Sequence, residues 1–373
     1  MYIPLHRTPA WPELTSPYCP REVRNMNYRW LLVGLLGLIS SLELLLAQTR
    51  RLTRDDIATV RPTEIHDVFT NPGKGFVTFQ RFNGDTTNAL RRCCGDFKED
   101  YPLPVLRDEK GHLINTNYPN TSIAYLRWYW RFLEPEHGRY RWDTIDRALE
   151  TARERGQTLL LAVAPHGTPG RGQHDVPDWY RQMVGERTAW AHDSPVNGWT
   201  VDAEDPRYAK YYGGFIRKIG ERYDGHPDLE AVDVRIVGAW GEGAGSALLT
   251  QQTREVLVNA YSDTFKKTPL IMLLTDERTN TYGLSQADMG WRVDCLGDLR
   301  FWADDPDKDG WTHMYDHYPR AIIQYGMRDA WKQGPVSLEI CGTFPTWKER
   351  EGYGLEQVEI HIRGGAQVEG VVH

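Results

Sequence analysis

Glu242 lies in the run Gly238-Ala239-Trp240-Gly241-Glu242-Gly243, directly after an apolar stretch. Flanking glycines leave its carboxyl reachable, and the nearby indole disfavours the charged form by desolvation, which suits a general acid. A loop carboxylate capping the next helix is the plainer alternative. Glu339 interrupts the apolar run Val336-Ser337-Leu338-Glu339-Ile340. An isolated acid there cannot face an apolar layer without large cost, so it is expected to point toward a polar interior. A buried ion pair, with Arg127 as partner, is the alternative. Two carboxylates across one cleft can break a bond held between them, one exchanging a proton while the other attacks. Asp276, Glu277 and Asp298 follow other apolar runs and compete with Glu339, or bind hydroxyl groups instead. Arg127 can hold a carboxylate. His166, in Pro165-His166-Gly167, either hydrogen-bonds a hydroxyl or is structural. Trp128, Trp240, Trp302 and Trp347 offer flat apolar faces to a ligand, with core packing as the alternative.

The elements that position these residues are read from periodicity. Eight short apolar runs are candidate strands: 75–80, 122–130, 158–165, 231–242, 270–275, 293–296, 336–341 and 368–372. Between them lie amphipathic stretches. In 144–155, Ile145, Ala148, Leu149 and Ala152 repeat at the spacing of one buried helical face, with Asp143 as expected N-cap and Gly156 as stop. Segments 208–223, 250–266 and 319–331 repeat the pattern. Strands alternating with helices imply a parallel sheet with helical crossovers. Eight such units in one chain fit an α/β fold of the (β/α)8 TIM-barrel type, and no GxGxxG argues for a dinucleotide-binding sheet. On that fold Glu242 ends the fourth strand and Glu339 lies on the seventh, both at the mouth where barrels carry their chemistry.

Composition bounds the partners. The 373 residues carry a net charge of −7 with no dense basic run, so nucleic acid is not an expected partner. The 14 Trp and 19 Tyr exceed what a core usually needs, and their rings stack well on the apolar faces of sugars. No CxxC or HExxH spacing is present; neither a metal nor another cofactor is expected. Trp30–Ala47 is an apolar run behind Arg29, interrupted by Glu43, and reads as a secretory signal, with Met26 as a natural start and residues 1–25 as an over-extended N-terminus. Residues 1–48 are thus expected to be leader, 49–70 linker and 71–373 the barrel domain, secreted or periplasmic. The alternative is an uncleaved membrane anchor, the one case in which a membrane would be a partner. The five cysteines (Cys19, Cys93, Cys94, Cys295 and Cys341) leave four after the leader, with no pairing legible.

Two further segments give a resemblance. Tyr125-Leu126-Arg127-Trp128, followed by Leu133-Glu134-Pro135-Glu136-His137-Gly138-Arg139-Tyr140-Arg141-Trp142-Asp143, resembles the stretch after the second strand in clan A glycoside hydrolases, especially β-galactosidase-like barrels. Asp175-Val176-Pro177-Asp178-Trp179 is similar to the loop that comes next in that clan. The resemblance implies a retaining glycoside hydrolase acting on a β-linked poly- or oligosaccharide, with its acid/base at strand four and its nucleophile at strand seven. These map onto Glu242 and Glu339, about 5–5.5 Å apart in such enzymes. Gly241 stands where the clan usually has an asparagine that contacts the sugar 2-hydroxyl. That departure suggests the alternative of a catalytically inactive carbohydrate-binding barrel of the cell envelope. The start of the barrel, Asn71 to Phe76, is also similar to a group of exported bacterial barrel proteins that usually continue into a β-rich C-terminal domain, which implies a chain cut short.

Overall fold

The computed structural model describes residues 75–86, 103–116, 120–167, 176–185, 201–296 and 312–340, with isolated positions 73, 354, 356 and 359. All belong to one unit, Phe69–His373. Among the described residues its centre is a seven-stranded sheet: β1 (Val77–Phe79), β2 (Ile123–Tyr129), β3 (Thr158–Ala164), β4 (Leu229–Val234), β5 (Leu270–Leu273), β6 (Met289–Val293) and β7 (Val336–Leu338). Neighbours in sequence are neighbours in space, and every pairing is parallel. That order, with helices in the crossovers, is the order of a (β/α)8 barrel. The eighth candidate strand, 368–372, lies outside the described residues, as do the leader 1–48 and the linker. Among the described residues no helix is long and apolar enough to cross a membrane.

Strand alternation sorts side chains into two layers. Ala124, Leu126 and Trp128 of β2, Leu159, Leu161 and Val163 of β3, and Val232 and Val234 of β4 pack outward against the helices. Ile123, Tyr125, Leu160, Ala162, Ala231 and Ile271 form a smaller inner cluster that fills the barrel floor. Residues two apart share a face, so a single parity decides which side chains can meet inside the barrel.

The helices follow their apolar stripes. Trp142–Glu154 buries Ile145, Ala148, Leu149 and Ala152 and stops before Gly156, whose φ of 68° is the left-handed conformation glycine tolerates. Its N-cap is Arg141, not Asp143, which instead sits in the first turn and pairs with Arg141 and Arg147. Thr250 caps Gln251–Ser262 by accepting from the Thr253 amide. The segment expected at 319–331 is divided: Tyr318–Gln324 ends before Gly326 (φ 75°), and a tight helical turn, Met327–Lys332, follows.

Two strands sit elsewhere than their patterns predict. β6 runs over Met289–Val293, not 293–296, because the inward Arg292 hides the apolar character of the strand in the sequence. β4 leaves the ladder at Val234, well before Glu242. There the carbonyl of Arg235 accepts instead from the hydroxyls of Tyr212 (2.7 Å) and Tyr261 (3.1 Å). Tyr212 also donates to the carbonyl of Val163, from a π-helical turn, Ala209–Gly213. These buried hydroxyls satisfy backbone that would otherwise be orphaned as β3 and β4 end.

The motif following β2 is also structural. Glu134 accepts from the indole of Trp130 (2.7 Å) and from the amide of Gly138 (2.9 Å), while its carbonyl accepts from the Trp179 indole (3.1 Å). Burial pushes the Glu134 carboxyl up. This residue ties the β2 exit to the helix Asp178–Val184 and takes no part in the barrel mouth.

Candidate active site

The inward positions of β2, β4 and β6 carry an unbroken chain of charge. Asp233 is fully buried, and its Oδ2 accepts from the Tyr125 hydroxyl (2.5 Å) and the Arg235 Nε (2.9 Å), with the Arg292 Nε at 2.8 Å. Arg235 and Arg292 are each about 1% exposed. Two guanidinium groups so deeply buried need a shared counter-ion, and they in turn hold Asp233 ionised, below the usual carboxylate range, against its burial. Arg235 also donates to the Tyr125 hydroxyl and to the carbonyl of Trp240. Tyr125 is pushed well above the usual phenol range by its burial, so its hydroxyl stays a donor.

Glu242 and Glu339 stand at two ends of this chain. Glu242 Oε1 accepts from Arg127 Nη1 at 2.8 Å and lies 3.9 Å from Arg235 Nη1. Arg127 is itself fixed from β1: the Gln80 side chain donates to the Arg127 carbonyl and accepts from its amide, both at 2.9 Å. Its guanidinium lies 5.4 Å from the centre of the Phe79 ring, a cation–π distance. Glu339 Oε2 accepts from Arg292 Nη1 at 3.1 Å, and the same nitrogen also binds Asp294. The Glu339 amide donates to Val293, and its carbonyl accepts from Leu296, so the β6–β7 ladder reaches the site.

The Glu339 carboxyl keeps 32% of its side-chain surface, yet protein encloses it enough for desolvation to dominate its titration. Burial first, then the negative charge of Asp294, push it from the ordinary 4.5 up to about 7; Arg292 and Arg127 pull the other way, and Glu242 adds to the rise.

Glu242 is carried by a tight glycine turn rather than by the strand itself. The Trp240 amide donates to the His166 carbonyl (2.8 Å), the Gly241 amide to Gly238 (2.9 Å), the Glu242 amide to Ala239 (3.0 Å) and the Gly243 amide to Val237 (2.9 Å). Gly238, Gly241 and Gly243 all have positive φ. At Gly241 (φ 73°) a β-carbon would lie 2.6 Å from the β-carbon of Arg235, so the buried arginine fills the space a side chain would need. Gly241 is thus explained by local packing. Gly241→Asn is expected to lower stability by about 1–3 kcal/mol through strain and overpacking, measured by urea unfolding. An unchanged midpoint would contradict this packing account.

Other sequence-predicted residues fare unevenly. Trp128 is fully buried on the outward face of β2, one residue out of phase with Arg127, and cannot reach a ligand in the mouth. Asp276 is the N-cap of the helix Glu277–Gln286: it accepts from the Thr279 amide (3.0 Å) and the Ser246 hydroxyl (2.6 Å). Both carboxylate oxygens are thus engaged in holding the start of this helix, a structural role, and Glu277 lies in the first turn behind it. His166 turns its Nδ1 to the Gly167 carbonyl (2.8 Å), and its parallel bridge to Ala239 extends the β3–β4 pairing to the turn that carries Glu242. Trp240 remains half-buried beside Glu242, with φ 54°. Arg127 does hold a carboxylate, that of Glu242. Asp298, Trp302 and Trp347 lie outside the described residues. Cys295 is disulfide-bonded.

Tyr125, Asp233, Arg235, Arg292 and Asp294 were not among the expected site residues. The signal was present: Asp233 and Arg235 alternate within an apolar run, as do Arg292 and Asp294, the same pattern that singled out Glu339.

Residues 114–235 match the family model of the β-galactosidases, a range that takes in β2 to β4 and ends before Glu242 and Glu339. β-Galactosidase Pbg of Clostridium perfringens is 24% identical over 134 residues, 34% of this chain and 18% of that enzyme's length. Among solved structures, endo-glycoceramidase II from Rhodococcus sp. as its lactosyl-enzyme intermediate has 14% identity and a TM-score of 0.39, over 60% of this chain and 66% of that one. An exo-β-1,4-mannosidase from Opitutaceae bacterium strain TAV5 has 11% identity and a TM-score of 0.40, over 67% and 44%. Over residues 114–235, from the approach to β2 through β4, this chain is similar to the β-galactosidase family of clan A glycoside hydrolases.

Proposed function

We propose that the protein is a retaining glycoside hydrolase acting on a β-linked oligo- or polysaccharide, with Glu339 as nucleophile and Glu242 as acid/base. The observation that carries this reading is the pair itself: two carboxyls at the mouth of a parallel α/β barrel, Glu242 on the half-buried Arg127 and Glu339 on the buried Arg292. The similarity of residues 114–235 to β-galactosidases supports the class of bond.

In the first step a Glu339 carboxylate oxygen bonds to the anomeric carbon as the glycosidic C–O bond breaks. Glu242 passes its proton to the departing oxygen. In the second step Glu242 takes a proton from water, the water oxygen bonds to the anomeric carbon, and Glu339 leaves as carboxylate. Arg127 and Arg292, each bonded to one of the two carboxyls, stabilise the negative charge that moves between them. Trp240, half-buried beside Glu242, offers one aromatic face for a sugar ring.

Burial favours a proton on Glu339, whereas attack requires its carboxylate. Arg127 bonds Glu242 and pulls Glu339 toward its charged form. Trapping with a 2-deoxy-2-fluoro-β-glycoside tests the reading, because it leaves a covalent sugar on the attacking residue.

A further inference from the structure

Arg292 is the least expected member of the site. It is buried on β6 and pairs with three acids: Asp233 on the floor, Asp294 on its own strand's extension, and Glu339 on β7. Asp233 is shared with Arg235, whose own second contacts reach Tyr125 and the Trp240 carbonyl, the start of the turn that carries Glu242. The floor thus links the two carboxyl-bearing elements through one aspartate. The nitrogen that binds Glu339 is the same one that binds Asp294.

We propose that Arg292 is the positioning residue of Glu339: anchored from the floor by Asp233, it divides one nitrogen between Asp294 and Glu339 and thereby fixes the Glu339 carboxyl and its charge. This inference rests on the reading of Glu339 as the attacking group, but the arrangement itself can be tested without substrate. Among the described residues the groups that bear on Glu339 are Arg292 from β6, Asp294 just after it, Arg127 from β2 and Glu242 from the glycine turn, with Tyr125 feeling its charge from the floor. Arg292 and Asp294 act on it in opposite senses. Removing the arginine strips away the nearest favourable charge. Removing the Asp294 charge lifts a repulsion and releases the shared nitrogen to Glu339 alone. Opposite charges within about 4–6 Å typically move a carboxyl by 1–3 pH units.

The experiment is a carbon-13 NMR titration of the full-length protein labelled at the glutamate side-chain carboxyls, with the Glu339 signal assigned by its loss in Glu339→Gln. In the wild type its midpoint is expected at about 7. Arg292→Met is expected to raise that midpoint by at least about one unit, and Asp294→Asn to lower it by a comparable amount. Arg292→Lys, which keeps the charge without the planar fork, is expected to fall between wild type and Arg292→Met. An unmoved or lowered midpoint in folded Arg292→Met overturns the proposal. If Arg292→Met does not fold, Asp294→Asn decides alone, since its residue is more exposed: a midpoint that fails to drop overturns the proposal. Hydrolysis measured in parallel separates the two readings. Shifts of the expected sign in a protein that cleaves no glycoside sink the hydrolase and leave the role of Arg292 intact.

Discussion

Glu242→Gln and Glu339→Gln are each expected to reduce hydrolysis of an unactivated β-glycoside by about 10²–10⁴-fold while leaving the fold intact. Both glutamines keep the shape of the side chain and most of its hydrogen bonding, so neither opens a cavity nor leaves a buried arginine without an oxygen to face. The two variants differ on an activated substrate. A dinitrophenolate departs without protonation, so the glycosylation step survives in Glu242→Gln and stalls at hydrolysis of the intermediate. Glu339→Gln lacks the attacking oxygen and stalls on every substrate. Pre-steady-state measurement of dinitrophenolate release reads the difference: a burst in the first variant, none in the second. Full activity in either variant would refute its assigned role.

The second large effect is on pH. With Glu339 raised to about 7, chiefly by burial, its attacking form is scarce below neutrality. kcat/KM is therefore expected to climb as pH rises through about 7, and a profile already flat from pH 5 to 8 would contradict the electrostatics described here. Stability moves in the opposite direction. The folded protein holds the Glu339 proton more tightly than the unfolded chain, whose glutamates titrate near the ordinary 4.5. Stability from this group is thus complete below about 4.5 and is lost as pH rises through about 7. A glutamine at this position cannot ionise, so Glu339→Gln is expected to raise the melting temperature relative to wild type more at pH 8 than at pH 5. Equal differences at the two values would show that Glu339 carries no such penalty.

The barrel was legible in the sequence because its outer layer is apolar and regularly spaced. Helix Trp142–Glu154 shows this well: four buried residues at helical spacing and a glycine stop are all local signals. The polar interior was much harder to read. Arg292 breaks the apolar run of β6 and moved the expected strand a few residues downstream, although the strand forms because the arginine has Asp233 to face. No sequence pattern reveals that partner, which lies two strands away in space. Trp128 illustrates the opposite error. Adjacent to Arg127, it looked like part of the same surface, but neighbouring residues on a strand point to opposite faces.

Gly241 and Asp276 show how one residue can carry two readings until its surroundings are known. A glycine before Glu242 suggested a missing sugar contact; in the fold, Arg235 occupies the space beside it. An aspartate after β5 suggested an acid in the mouth; in the fold it caps a helix that the periodicity had not marked. In both cases the deciding neighbour is distant in sequence or belongs to an unrecognised element.

Glu242 and Glu339 are paired across one charged network, and covalent trapping tests that central claim most directly. The protein would be incubated with 2,4-dinitrophenyl 2-deoxy-2-fluoro-β-galactoside, digested, and the labelled peptide identified by mass spectrometry. The expected result is a fluorosugar adduct on Glu339, formed with release of one dinitrophenolate per protein. An adduct on Glu242, or turnover to an inverted product with no adduct, would contradict it.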